Sequence, residues 1–403
     1  MMLLAIAALA CATWIYLAFG RGNFWRALQD DQAMHDALRK QSDACPDAPA
    51  KSSAVTTWPR VVAIIPARNE AELIATTVGS LLAQRYEGEL SIVVVDDHSE
   101  DETASVATDA AKDAGLAQRL VVLASPPLPA EWTGKLWAIA QGVAYAECAA
   151  GTPEFLLFTD ADIRYPPDAV AALVFSALEK GLVLSSLMVK LRCESLAERL
   201  SIPAFVFFFQ MLYPFAWVND KNRRTAAAAG GCMLVRREAL REAGGIASIR
   251  GELIDDCALA RRLKPHGPVS LLLSEHVRSL RAYSSLDDIR RMVARSAYAQ
   301  LRFSRLRLAM VVLAMLVLFI APVVLTVAGE GWTRALALAA WVSMALLFVP
   351  MQKRYRAPLW WTLALPAIAA AYLAFTIESA FQHMRGRGGM WKGRTQGSAA
   401  NMR

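Results

Sequence analysis

Several things are scarce in this 403-residue chain, and each scarcity narrows what it can be. Histidine is rare: the five histidines do not cluster along the sequence, which argues against a zinc site. The six cysteines (Cys11, Cys45, Cys148, Cys193, Cys232 and Cys257) include no Cys-x-x-Cys pair. That spacing gives no sign of a disulfide framework or zinc ribbon, and it suits reduced core residues of a cytoplasmic domain. There is no separate basic domain. The net charge of +7 comes from arginines and lysines that flank apolar segments, which speaks against nucleic acid and for an anionic membrane surface. Internal repeats and long low-complexity tracts are also absent, so neither a solenoid nor an extended disordered chain is indicated.

Charge is missing altogether from Met1 to Phe19, a stretch long enough to cross a bilayer. No basic residues precede it, as they would in a cleavable signal peptide, so it reads as an uncleaved anchor. Arg21 and Arg26 follow it and place the downstream chain in the cytoplasm. Three more apolar stretches occur at Leu308 to Ala328, Ala335 to Met351 and Leu359 to Phe381. Basic loops flank the first two as a hairpin with both ends cytoplasmic would require. The last contains Pro366 and Glu378, and spanning would put the basic tail outside, against the charge rule. It either spans or lies in the interface. The expected organisation is an anchor (1–20), a polar linker (21–58), a cytoplasmic catalytic domain (59–307), two or three spans (308–381) and a basic tail (382–403).

Within 59–307 short apolar runs alternate with helical periodicity. Val61 to Ile65, Leu90 to Val95, Leu120 to Leu123 and Phe155 to Thr159 read as strands. Ala71 to Gln84, Glu102 to Ala114 and Lys135 to Cys148 read as helices. The pattern predicts an α/β domain with a mostly parallel, doubly wound, Rossmann-like sheet, whose ligands bind at the carboxyl ends of the strands. Ile202 to Trp217 is rich in Phe; its two prolines and Gln210 make it a poor span, and it reads as a helix lying on the membrane or lining an apolar groove.

Acidic clusters stand where strands end. Pro66-Ala-Arg-Asn-Glu70 follows the first, and Glu70 could accept hydrogen bonds from a ribose or base, or simply compensate a helix dipole. Asp96-Asp97-His-Ser99 follows the second, with the same choice between ligand and helix cap. Asp160-Ala-Asp162 follows the fourth and could hold magnesium or manganese, or be a solvated turn. Lys135 opens a helix in Trp132-Thr-Gly-Lys135, a position that hints at an anionic ligand. Asp255-Asp256 precedes the helical Cys257 to Leu263; such a carboxylate could take a proton from a hydroxyl, or cap the helix. Gly230 and Gly231 would let backbone approach a ligand closely.

Taken in chain order (66–70, 96–99, 132–135, 160–162, 230–231, 255–256), these six clusters resemble the family 2 glycosyltransferases, which share the GT-A fold; the resemblance covers about Val61 to Leu301. It implies that Glu70 and Asp97 bind the nucleoside, with Pro66 and Asp96 beside them. It implies that Asp160 and Asp162 sit at a divalent cation and the donor diphosphate, Asp162 being the direct ligand. Asp256 matches the catalytic base of a Glu-Asp pair, with Asp255 in place of the Glu. The Gln-x-x-Arg-Trp of processive synthases is represented only by Met292-Val-Ala-Arg295-Ser296. Arg295 can still pair a diphosphate oxygen, while the missing tryptophan argues for single transfer to a lipid. Trp132 to Gly142, Leu253 to Cys257 and the Phe-rich segment look like the hopene-associated glycosyltransferases of hopanoid-making bacteria. The resemblance therefore implies a nucleotide-sugar donor, usually a UDP-sugar, a lipid acceptor, a bacterial inner membrane and no nucleic acid. A polyprenyl-phosphate or sphingolipid-type transferase, and a catalytically silent membrane scaffold, are the competing readings.

Overall fold

The structure is a computed structural model that describes residues 1–42, 57–149, 151–386, 388–391 and 394–395. The chain divides into two compact units. One comprises Gln29–Leu191 and Trp217–Arg281, with the C-terminal Lys392–Arg403; the other comprises Met1–Leu28, Arg192–Ala216 and Ala282–Trp391.

The first unit is built on an eight-stranded sheet. Its strands are β1 (Val61–Ala67), β2 (Leu90–Asp96), β3 (Leu120–Ala124), β4 (Phe155–Thr159), β5 (Ile163–Arg164), β6 (Leu184–Lys190), β7 (Cys232–Arg236) and β8 (Val269–Ser279). Their spatial order is β3-β2-β1-β4-β7-β6-β8-β5. β3, β2, β1 and β4 run parallel, as the alternation of runs and helices predicts. β7 then enters antiparallel to both β4 and β6, and β5 is antiparallel to β8. The sheet is thus mixed, and its parallel half carries the early acidic clusters. β1 is buried at every residue and β4 likewise, as expected of strands covered on both faces.

Two registers position the site. Thr159 pairs with Cys232, which sets Gly230 and Gly231 beside the end of β4. Ile163 pairs with Ser279, and Leu280 N–H donates to the Asp162 carbonyl at 2.8 Å, which sets Arg281 beside Asp162.

The expected linker is folded in its first part. Gln32–Ser42 is a helix, and the carbonyl of Gln29 and N–H of Asp31 bond to Leu273 of β8 at 2.8 and 3.0 Å. Met34 joins the core of the sheet, so an apolar anchor point was hidden in a polar segment. The rest of that segment lies outside the described residues.

The second unit is helical. Met2–Phe19, Arg305–Ala328, Gly331–Arg354 and Leu359–Met384 are each long and apolar enough to cross a membrane. Glu378, awkward in an apolar stretch, is paired with Arg290. The Phe-rich segment has aromatic partners within its own unit. Leu196–Leu212 is a helix packed inside this unit: Phe207 is fully buried and meets Phe348 at 5.2 Å, and Phe208 meets Phe319 at 5.7 Å and Tyr372 at 5.4 Å. Edge-to-face aromatic packing holds that face within the unit rather than leaving it open. Among the described cysteines, Cys11, Cys232 and Cys257 are buried, Cys148 is exposed and Cys193 is half-buried. Cys45 lies outside the described residues.

Candidate active site

The helix Gly134–Cys148 opens with Thr133, whose hydroxyl accepts the Leu136 N–H at 3.3 Å. Its second residue, Lys135, lies between two carboxylates: Nζ is 3.0 Å from Asp160 Oδ1 and 3.1 Å from Asp255 Oδ2. Burial works against the ammonium, but Asp160 and Asp255 outweigh it and hold the lysine above its ordinary pKa. The unfavourable placement of a lysine at a helix start is therefore answered by neighbouring acids. Desolvation and then the nearby Asp162 push Asp160 up, against the pull of Lys135.

Asp255 and Asp256 form the first turn of helix Asp255–Leu263, where negative charge suits the macrodipole. Asp256 Oδ2 accepts the Gly230 N–H at 2.9 Å and Oδ1 accepts the Cys257 N–H at 2.6 Å. Burial, then the like charge of Asp255, raises its pKa to about 6, against Lys135 and the two amides. Gly230 packs closely on the cluster: a Cβ there would stand 3.2 Å from Lys135 Nζ, tight enough to press on the lysine tip, and 3.5 Å from Asp256 Oδ2, an ordinary contact. The Gly231 carbonyl accepts the Thr159 hydroxyl at 3.0 Å.

At the other end of the cluster stands Arg281, which the sequence reading missed. Its guanidinium donates to Glu70 Oε1 and Oε2 at 2.7 and 2.9 Å and to Asp162 Oδ2 at 3.1 Å. Ser279 Oγ donates to the same Asp162 oxygen at 2.9 Å. Both carboxylates are nearly buried, so burial is tolerated because each is paired. The only sequence signal was an arginine just past the end of an apolar run. Glu70, read as a ribose or base acceptor, therefore has both oxygens engaged by Arg281.

The Asp96 carboxylate accepts from the Ser99 N–H and hydroxyl, which stiffens the loop after β2. Asp97 is fully buried, and its N–H donates to the Ala67 carbonyl at 2.8 Å, tying the ends of β1 and β2 together. Pro66 lies within β1, paired with Val95. Arg295 belongs to the helical unit, at the end of helix Leu286–Ala294, and is not among the side chains gathered here.

The donor set fits a hard divalent cation. Asp160 and Asp162 supply carboxylate oxygens, which suit magnesium or manganese, and each keeps an oxygen outside the bonds just described. Asp31, His35 and His276 make a separate group of metal-ligating type, with one ligand atom from each within 4.8 Å of the others. Two of the five histidines, dispersed in sequence, thus converge in space.

A model of "Glycosyl transferase family 2" matches residues 62–244, and one of "Glycosyl transferase family group 2" matches residues 156–374. No curated protein sequence matches the chain. Among solved structures, the mannosyltransferase PcManGT from Pyrobaculum calidifontis, in complex with GDP-Man and Mn2+, is similar with a TM-score of 0.55. It is 20% identical over 95% of this chain and 99% of that one. Mannosyl-3-phosphoglycerate synthase from Rubrobacter xylanophilus matches with a TM-score of 0.38 and 18% identity, over 70% of this chain and 85% of that one. Glucosyl-3-phosphoglycerate synthase from Mycobacterium tuberculosis, in complex with Mg2+ and UDP, matches with a TM-score of 0.39 and 17% identity, over 60% and 79%. At 20% identity the likeness to the first of these is one of fold. With a family model matching more than half its length and the GT-A fold in place, the chain belongs to glycosyl transferase family group 2 and is a glycosyltransferase.

Proposed function

We propose that this enzyme moves a single sugar from a nucleoside diphosphate sugar to the hydroxyl of a membrane lipid, inverting the anomeric centre. The observation that carries the reading is Asp256, a half-buried carboxylate whose pKa is raised to about 6, in the same cluster as Lys135 and Asp160. A base of that strength is ionised at neutral pH yet basic enough to accept a proton in the transition state.

Asp256 takes the proton of the acceptor hydroxyl as its oxygen attacks the anomeric carbon. The bond to the diphosphate breaks on the opposite face, and the charge leaves with the diphosphate. The two backbone amides that hold Asp256 keep its carboxylate oriented, and Gly230 leaves room for it. Lys135 neutralises the leaving diphosphate in place of Asp160 and Asp255. Asp160 and Asp162 would hold a magnesium or manganese ion, which offsets charge developing on the leaving group. Glu70, Asp97, Pro66 and Asp96 line the nucleoside end, with Arg281 holding Glu70 and Asp162 in register. Gly231 and Asp255 border the acceptor end.

Four helices apolar enough to cross a membrane favour a lipid acceptor. The motifs at 132–142 and 253–257 favour a hopanoid or related lipid, made at a bacterial inner membrane with the sheet unit cytoplasmic. The direct test is lipid analysis of a deletion strain, complemented by wild type and by Asp256→Asn. A glycosylated lipid that vanishes on deletion and returns only with wild type supports the proposal. An unchanged lipid profile, together with transfer to a soluble acceptor in vitro, would overturn it.

A further inference from the structure

The cluster of Asp31, His35 and His276 is used by nothing in the transfer reaction, and its chemistry differs from that of Asp160 and Asp162. The Asp31 carbonyl accepts the His35 N–H at 3.2 Å, so these two residues stand one helical turn apart at the start of helix Gln32–Ser42. His276 comes from β8, to which the same segment is tied through Leu273. The two imidazoles face one another, with centroids 4.4 Å apart.

Asp31 is fully buried and unusually well supported. Its oxygens accept from the Glu275 N–H at 3.1 Å and from the Ser274 hydroxyl, and Oδ1 lies 3.1 Å from His276 Nδ1. An Asp–His hydrogen bond would account for that pair alone. It leaves His35 unexplained: the residue is only 6% exposed, and its Nε2 is buried without a hydrogen-bond partner among the described residues. A buried polar atom left unpaired needs a physical account, and a bound ion supplies one.

We propose that Asp31, His35 and His276 form a binding site for a divalent transition metal of the zinc class, with water completing the shell. Two imidazoles and a carboxylate suit zinc, cobalt or nickel far better than magnesium or calcium. The spacing is close to what such an ion needs. Metal–ligand bonds of about 2.0–2.1 Å in a tetrahedron give ligand–ligand edges of about 3.3 Å, and the His276–Asp31 pair stands at 3.1 Å. The widest separation in the group, up to 4.8 Å, closes by rotation of the histidine side chains. Ser274 and the Glu275 amide are the groups that orient the carboxylate, the role outer partners play around metal ligands. The bound ion would clip helix Gln32–Ser42 to β8, just ahead of Arg281. The site is therefore structural rather than catalytic.

Cobalt substitution tests this on the full-length protein in detergent, purified without a polyhistidine tag. Tetrahedral cobalt bound by imidazole absorbs strongly in the visible, whereas cobalt at an all-oxygen octahedral site absorbs weakly. The expected result is a strong cobalt spectrum that equimolar zinc abolishes and that manganese in excess does not. His35→Gln and His276→Gln should each lose it. Zinc should also raise the thermal unfolding temperature of wild type and leave that of His276→Gln unmoved; His276 is half-buried, and its glutamine variant is expected to fold. A weak octahedral spectrum in wild type, or an equal zinc shift in wild type and His276→Gln, would overturn the proposal.

Discussion

Arg281 holds both carboxylate oxygens of Glu70, at 2.7 and 2.9 Å, from a position 211 residues further along the chain. Through Nε it also reaches Asp162 at 3.1 Å. One guanidinium thus ties the loop after β1 to the loop after β4. Arg281→Ala would leave two nearly buried carboxylates without their cation. The expected cost is roughly 2–3 kcal/mol, at the lower end for a broken buried pair because Arg281 itself is partly exposed. Arg281→Lys should recover only part of it, since a single ammonium replaces the separate Nη2 and Nε donors that reach Glu70 and Asp162. Denaturant unfolding of the three proteins checks both statements; an alanine variant as stable as wild type would remove the clamp from the account.

Asp256→Asn should lower transfer by about 10²–10⁴-fold, the usual worth of a general base, with donor affinity nearly unchanged. The amide keeps an oxygen for the Gly230 N–H but cannot take a proton. The same variant should be more stable than wild type at neutral pH, because burial and the like charge of Asp255 disfavour the charge that Asp256 carries in the folded protein. Single-turnover rates, donor titration and thermal unfolding separate the three effects.

The pH dependence follows with its sign. Asp256 is active as the carboxylate, and its pKa lies at about 6. The value of kcat/KM should therefore be flat above about pH 7 and fall tenfold per unit well below 6. For stability the direction is opposite: the folded state binds this proton more tightly than the unfolded chain, so Asp256 contributes less stability as pH rises from about 4 to about 6. A pH–rate profile with no acid limb near 6 would count against Asp256 as the base.

Gly230→Ala is a one-carbon change with a local consequence. The new Cβ would approach Lys135 Nζ and Asp256 Oδ2 at 3.2 and 3.5 Å, displacing the lysine and loosening the amide bond to Asp256. We expect roughly tenfold lower kcat and a displaced acid limb, since amide donation favours the carboxylate form. Gly245→Ala, in which nothing lies within 4 Å of the added carbon but φ is 64°, controls for general instability.

Chelation should abolish transfer, and magnesium or manganese should restore it. Asp162→Ala should weaken metal-dependent donor binding by about tenfold or more, while leaving the spectrum of cobalt at the histidine cluster intact. Isothermal titration of the donor with and without cation measures the first, and the cobalt spectrum the second.

The strands β1 to β4 were legible because a buried strand announces itself as a short apolar run, and the boundaries of β4 at Phe155 and Thr159 were those of the run itself. The acidic clusters were legible because ligand-binding residues follow such strands. The apolar helices were legible by length. Three things were not. The helix at Gln32–Ser42 has the composition of a polar linker, and the bonds of Gln29 and Asp31 to Leu273 are what dock it. The Phe-rich helix has the composition of a membrane surface element, yet its partners Phe319, Phe348 and Tyr372 lie more than a hundred residues away. Arg281 was silent because nothing in the segment after β8 marks what faces it.

By itself, then, the sequence determined the first four strands and the helices between them, the apolar spans, and a series of carboxylates at strand ends. These follow from local periodicity, which each segment carries alone. Only the tertiary structure decided which charges meet: Lys135 with Asp160 and Asp255, Arg281 with Glu70 and Asp162, His35 with His276. Those pairings depend on sheet register, Thr159 against Cys232 and Ile163 against Ser279. Register is set by backbone hydrogen bonds and packing between distant segments, and no stretch of sequence contains it.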